Sequence, residues 1–256
     1  MKQRIISACF IVVITVTLIV LGGWPFNIFA AFIILWGSYE FCKNRDRKIN
    51  WLEYLLMVAF CLLINFFFSK ALGIVLAFVV CLIGVSVFDE DLSLSEISVT
   101  FVESMILGFS VHYMIEIETL SKLMFAYIVI IAYVTDCFAL LSGMKFGKHK
   151  LNVRISPKKT IEGAMGGWLI GGLLSFVFAA ICKFFYMDAL FILACSFILP
   201  VISQIGDLAF SLIKRHYFVK DFSKLIPGHG GLLDRLDSLL FVLITYGALA
   251  ILFGIY

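Results

Sequence analysis

The chain has 256 residues, 62% of them hydrophobic and 14% charged, with a formal net charge of +3, whereas a soluble domain of this length carries about 25% charged residues. That balance excludes an ordinary water-soluble enzyme. With about 20 apolar residues needed to cross a bilayer core about 30 Å thick, it describes an all-α polytopic integral membrane protein.

In chain order, the basic start at Met1–Arg4 leads into an apolar run, Ile5 to Leu21. That run is longer than the hydrophobic region of a signal peptide, about 7 to 15 residues, and further spans follow it, so it reads as a retained first helix. Apolar runs bounded by polar, Gly or Pro residues predict about nine transmembrane helices, near 5–22, 26–42, 52–69, 71–88, 97–113, 123–142, 163–182, 189–213 and 238–255. Glu103 and His112 interrupt the fifth, where a half-buried or re-entrant helix is the alternative. No low-complexity linker and no solenoid repeat divides the chain. It reads as one membrane-embedded domain, 1–256, with N-terminal helices over 1–120 and the polar motifs over 121–256. The cysteines lie in or at the end of apolar runs without a CxxC pair and read as small buried hydrophobes. Trp24, Trp36, Trp51 and Trp168 read as interfacial anchors.

Nine spans with a cytoplasmic N-terminus put seventeen of the twenty basic residues on the inner side, all but Lys70, Lys122 and Lys183. Retention of Lys and Arg on that side supports both the count and the orientation. The basic cluster at 43–48 needs no more than topology to explain it. The loops 143–162 and 214–237 hold more: acids, glycines and a histidine in tight spacing, facing the same compartment, where a polyanionic soluble substrate meets both.

An ionised Asp at the bilayer centre costs about 2.5 to 3.5 kcal/mol even on the lenient insertion scale, so such residues face a cavity or a partner. Asp136 and Asp207 each interrupt an apolar stretch one to two turns from the cytoplasmic end of a helix. Ser203, Asp207, Ser211 and Lys214 form one helical stripe beside Gln204, and Pro200 just before it predicts a kink and a freed carbonyl. Further on come Asp221, Gly228, His229, Gly230, Gly231, Asp234, Arg235 and Asp237. Asp234 and Asp237, three apart at the expected start of the ninth helix, project from one face. Magnesium takes one or two carboxylates plus phosphates and waters, and Asp207 with Asp234 forms such a ligand set. Glycines 228, 230 and 231 let backbone N–H groups approach an anion. Ser156 and Pro157 read as a helix cap and first turn, with Lys158, Lys159 and Thr160 strengthening a preference for anions there.

Three gapped patterns stand out. One runs Ser211, Lys214, Arg215, Lys220, Asp221, Ser223, Pro227, His229, Gly230, Gly231, Asp234, Arg235, Asp237. The second is Ser156 to Gly163. The third runs from Asp136 through Gly143 and Gly147, with Leu140 where an aromatic residue is expected. Together they resemble the signatures of the phosphatidate cytidylyltransferases, or CDP-diglyceride synthases. The resemblance covers about the C-terminal half; the first 120 residues match only in being apolar helices.

It implies transfer of the cytidylyl group of CTP to phosphatidic acid, giving CDP-diacylglycerol and pyrophosphate with Mg2+, and with room for a second cation. By the same resemblance Asp234, Asp237, Lys214, Lys220 and Arg235 are catalytic, together with Asp207 from the reading of the eighth helix above. Ser156, Lys159, Thr160, Ser211, Arg215, His229, Gly230, Gly231 and Asp136 bind substrate, and Asp207 and Asp234 hold the metal. The lipid phosphate is already anionic, so positioning and charge stabilisation matter more than a general base. The expected partners are CTP, phosphatidic acid, membrane lipid and a second copy in a homodimer, with no nucleic acid. The expected setting is the plasma membrane, with the active site facing the cytoplasm. The rival readings are a CTP-dependent polyprenol or phytol kinase and an ion-coupled secondary transporter, although no inverted repeat is visible.

Overall fold

A computed structural model describes residues 13–45, 49–89, 92–184, 188–225 and 230–255. Helix α1 covers 13–21 of these, followed by α2 (Gly23–Lys43), α3 (Trp51–Phe66), a 3₁₀ turn (Phe68–Lys70) and α4 (Ala71–Phe88). Then come α5 (Leu94–Leu120), α6 (Lys122–Phe146), strands β1 (Lys150–Asn152) and β2 (Ser156–Thr160), α7 (Ile161–Ile181), α8 (Ala189–His216) and α9 (Leu233–Leu252). Among the described residues seven helices are long and apolar enough to cross a membrane, the 3₁₀ turn and α4 counting as one, and α3 is a shorter apolar helix. The nine expected crossings thus meet seven of spanning length, one short helix and a first helix described only from residue 13. The fifth helix is unbroken through Glu103 and His112 and reaches 27 residues.

Polar side chains set the helix starts by accepting the N–H groups that a first turn leaves unpaired. Asn50 caps α3, Ser121 caps α6 and Asp188 caps α8. At α7 the cap is Thr160, whose Oγ1 accepts from Gly163 N–H at 3.1 Å. This corrects the expectation that Ser156 and Pro157 open that helix. They lie in β2, which pairs antiparallel with β1 in the register Asn152 to Ser156 and Lys150 to Thr160. Asn152 Oδ1 closes the turn between the strands by accepting from Arg154 and Ile155 N–H at 3.1 and 3.2 Å. Proline tolerates such an edge, where its missing N–H breaks no central ladder.

The chain divides into two compact units, 1–116 with 221–234, and 117–220 with 235–256. In the first, Phe41, Met57, Phe60, Cys61, Ile64 and Leu107 form a closed core. Arg45, expected among exposed topological charges, is instead buried, and its guanidinium faces three glutamates. It pairs with Glu53, with Glu103 at 2.9 Å and with Glu96 at 3.6 Å. Glu103 therefore interrupts an apolar run because it has a cationic partner. His112 likewise stacks on Phe68 with ring centroids 3.7 Å apart and lies 3.5 Å from Glu116. Among the described cysteines Cys42, Cys61 and Cys195 are buried as expected, whereas Cys182 is half-buried and Cys81 and Cys137 are exposed.

In the second unit α6 and α7 approach closely because α7 carries glycine every fourth residue where it meets α6. A methyl on Gly167 would stand 2.7 Å from Ala139 Cβ, and one on Gly171 would stand 2.4 Å from Thr135 Oγ1. Small residues of this kind let helix backbones approach within a membrane. Helix α8 continues through Pro200, and Gln204 Nε2 donates to the carbonyls of Ala164, at 3.1 Å, and Pro200.

Candidate functional site

A cavity of about 690 Å³ opens in the second unit between α6, the β1–β2 hairpin, the start of α7 and α8. Asp136 reaches it from α6, Asp207 and Gln204 from α8, Lys158, Lys159 and Thr160 from β2, and Lys150 from β1. Leu140, Met144 and Leu151 are among the other lining residues, so one pocket joins charged and apolar groups. The closest charge contact is Lys159 Nζ to Asp207 Oδ2 at 2.6 Å, with about a quarter to a third of each side chain exposed. Ser211 Oγ lies 3.5 Å from Asp207 Oδ1. Asp136 has Asp207, Lys159 and the hydroxyls of Ser203 and Ser238 as polar neighbours. Asp237 adds a third carboxylate to that electrostatic neighbourhood, opposed by the buried Lys214. Asp136 and Asp207, the carboxylates that the sequence rule expects to face a cavity or a partner, both line this cavity.

The hairpin is held from below. Glu162 accepts from the N–H groups of Lys148, at 3.0 Å, and His149, while its Oε1 lies 2.6 Å from His149 Nδ1. Thr160 therefore caps α7 and leaves Lys159 beside Asp207, while Ser156 pairs with Asn152 in the hairpin. Arg215 and Lys220 are exposed, and Arg215 Nη1 donates to the Val219 carbonyl at 3.0 Å. The Arg235 carbonyl accepts from Tyr133 Oη at 3.1 Å.

Asp234, Gly230 and Gly231 belong to the first unit, and His229 lies outside the described residues. Glycines 228, 230 and 231 were expected to offer backbone N–H groups to a substrate anion; Gly228 lies outside the described residues, and Gly231 N–H donates to Asp234 Oδ2 at 2.8 Å, as does Phe222 N–H at 2.8 Å. The next two amides, Leu232 and Leu233, donate to Glu40 Oε1 and Oε2, each at 2.9 Å. The anions in this nest are the protein's own carboxylates. Gly230 adopts a φ of +86°, and a methyl on Gly231 would lie 2.5 Å from Glu40 Oε1. Bare backbone is required at both.

Glu40 is the residue that sequence reasoning missed. It is fully buried near the end of α2 and also accepts from Trp36 Nε1 at 3.0 Å and Ser223 Oγ at 2.6 Å. Asn44 Nδ2 donates to the Phe222 carbonyl at 2.7 Å, and the Phe41 and Phe222 rings meet edge to face at 5.5 Å. The same signal that exposed Asp136, a lone carboxylate in an apolar run, was present at Glu40.

Among the described residues no group of three or more His, Cys, Asp or Glu side chains is arranged to hold a metal ion. Asp207 and Asp234, the expected metal pair, belong to different units.

The family model of the cytidylyltransferases matches residues 2–253. The phosphatidate cytidylyltransferase of Bacillus subtilis (strain 168) is 31% identical over 256 residues, 95% of either chain. That of Staphylococcus epidermidis (strain ATCC 12228) is 41% identical over 137 residues, 54% of this chain and 52% of its own. That of Staphylococcus aureus (strain COL) is 40% identical over 141 residues, with the same two shares.

Proposed function

The chain belongs to the cytidylyltransferase family, and from that premise we propose that it transfers the cytidylyl group of CTP to phosphatidic acid, with the α6–α8 pocket as the place of reaction. It is a multi-pass membrane protein, and the product, CDP-diacylglycerol, remains in the lipid. A phosphate oxygen of phosphatidate attacks the α-phosphorus of CTP. The new O–P bond forms as the bond from that phosphorus to the bridging oxygen of the β-phosphate breaks, and pyrophosphate leaves. The nucleophile is anionic near neutral pH and needs no base, so the protein contributes alignment and charge stabilisation.

The observation that carries this reading is the pocket itself, whose lining combines the charged Lys150, Lys158, Lys159 and Asp207 with the apolar Leu140 and Met144. A polyphosphate and an acyl-bearing headgroup need both kinds of group in one place. Lys159 and its hairpin neighbours attract the triphosphate, and Lys214 balances the Asp237 side. The asymmetric distribution of Lys and Arg supports a cytoplasmic opening, from which CTP arrives by water.

Asp207 is the residue that would hold a divalent cation: its carboxylate stands in the pocket wall, Lys159 Nζ faces it at 2.6 Å, and the Asp136 and Asp237 carboxyl groups are its electrostatic neighbours. Asp234 uses Oδ2 to hold two backbone N–H groups, so we assign it first to shaping its own segment. Magnesium, held by Asp207 and completed by substrate phosphates and water, would neutralise charge on the leaving pyrophosphate.

The test is purified protein in detergent with phosphatidate, magnesium and, in turn, CTP, dCTP, ATP and GTP. Labelled cytidine lipid and pyrophosphate are expected with CTP. Formation of CDP and a phosphorylated alcohol instead would assign the kinase reading.

A further inference from the structure

Glu40 lies far in sequence from the signature segment, 183 residues from Ser223 and 192 from Leu232. Among the described residues its carboxylate nevertheless receives three of its four hydrogen bonds from that segment. With Asp234 it occupies the consecutive amides of Gly231, Leu232 and Leu233. An acidic side chain buried in the last turn of a helix is costly to desolvate and stands at the negative end of the helix dipole. The hydrogen bonds that offset this cost act on the segment. These amides are occupied by the protein's own carboxylates, and the directions of the segment's remaining groups depend on the backbone that Glu40 sets.

We propose that Glu40 is a positioning residue for CTP, holding the backbone at 222–223 and 231–234 in one conformation so that the signature segment meets the nucleotide preformed. The inference rests on the cytidylyltransferase reading given above. Glu40 touches no reacting atom and acts through the segment. Preformed geometry of this kind lowers the ordering cost of binding.

The experiment compares the full-length protein with Glu40→Gln, Ser223→Ala and Trp36→Phe in detergent. It reads steady-state kinetics for each substrate, thermal unfolding, and hydrogen exchange of the amides at 231–233. Glu40→Gln replaces one acceptor oxygen by an NH₂ group facing donors. It is expected to lower kcat/KM for CTP about tenfold or more, the scale of losing one charge-assisted hydrogen bond. KM for phosphatidate should change less than about twofold, and exchange at 231–233 should accelerate, reporting local opening. Ser223→Ala should act in the same direction by about threefold, and it serves as the test should Glu40→Gln fail to fold. Wild-type CTP kinetics with unchanged exchange in Ser223→Ala and Glu40→Gln would overturn the proposal. So would an equal loss for both substrates accompanied by a lower unfolding temperature, since that is the mark of a merely structural role. If the wild-type protein made no cytidine lipid, the functional reading would fall, while the exchange data would still report whether Glu40 holds the segment.

Discussion

Asp207 and Lys159 neutralise one another in the pocket wall, and each is partly open to solvent, so replacing either alters charge without opening a core. Asp207→Asn is expected to lower cytidylyl transfer by about 10²-fold or more at saturating CTP, the scale of losing a group that organises transition-state charge. Pyrophosphate release measures it, and an unfolding temperature near wild type separates lost chemistry from lost fold. Gly231 presents the opposite case. Gly231→Ala drives a methyl into the Glu40 carboxylate, and overpacking of this kind costs about 1–3 kcal/mol. That variant should unfold at lower temperature in detergent and lose activity together with stability. Wild-type stability in Gly231→Ala would contradict the packing described at this site.

At the scale of elements, the hairpin and α7 form one device. Thr160 ends β2, caps α7 and leaves Lys159 at the pocket, so the strand-to-helix transition sets where that ammonium sits. Thr160→Ala removes the cap, at a cost of about 1 kcal/mol. It should depress kcat/KM more than its small effect on thermal unfolding implies, because Lys159 is the adjacent residue. The α6–α7 contact tolerates less. Gly171→Val pushes two methyl groups toward Thr135, where even one stands within 2.4 Å of its hydroxyl. The helices must then separate or the chain unfold, and a fall in unfolding temperature well beyond that of Thr160→Ala is expected. The Ser156–Pro157 pair shows why this element was misread. The dipeptide suits a helix start and an edge strand equally well, and pairing with Asn152 chooses between them.

For the molecule as a whole, the first unit is organised around one buried cation among three carboxylates. Removing the cation leaves those charges uncompensated away from water, which costs about 3–5 kcal/mol. Arg45→Met should therefore destabilise the protein more than any pocket substitution, as read by thermal unfolding in detergent. Arg45→Lys keeps the charge but loses the planar fork, and it should fall between the two. If Arg45→Met unfolded at the wild-type temperature, the cluster would not carry the packing of this unit.

The amino-acid sequence alone determined that the protein is helical and membrane-embedded, because runs of apolar residues have one favourable solvent. It also singled out Asp136 and Asp207, because a charge in such a run needs a cavity or a partner wherever the chain goes, and Asp237 and Lys159 through the motifs that hold them. That rule is local and says nothing of who the partner is. Only the tertiary structure decided that Arg45 is enclosed by Glu53, Glu96 and Glu103. It alone showed that the amides after Gly230 are taken by Asp234 and Glu40, and that Thr160 opens α7. Glu40 meets Leu232 and Leu233 across 192 and 193 residues and Arg45 meets Glu103 across 58, while even the local contact of Thr160 with Gly163 follows from the pairing of β2 with β1; hydrogen bonds and ion pairs form between neighbours in space, whose identity hydropathy and spacing do not encode.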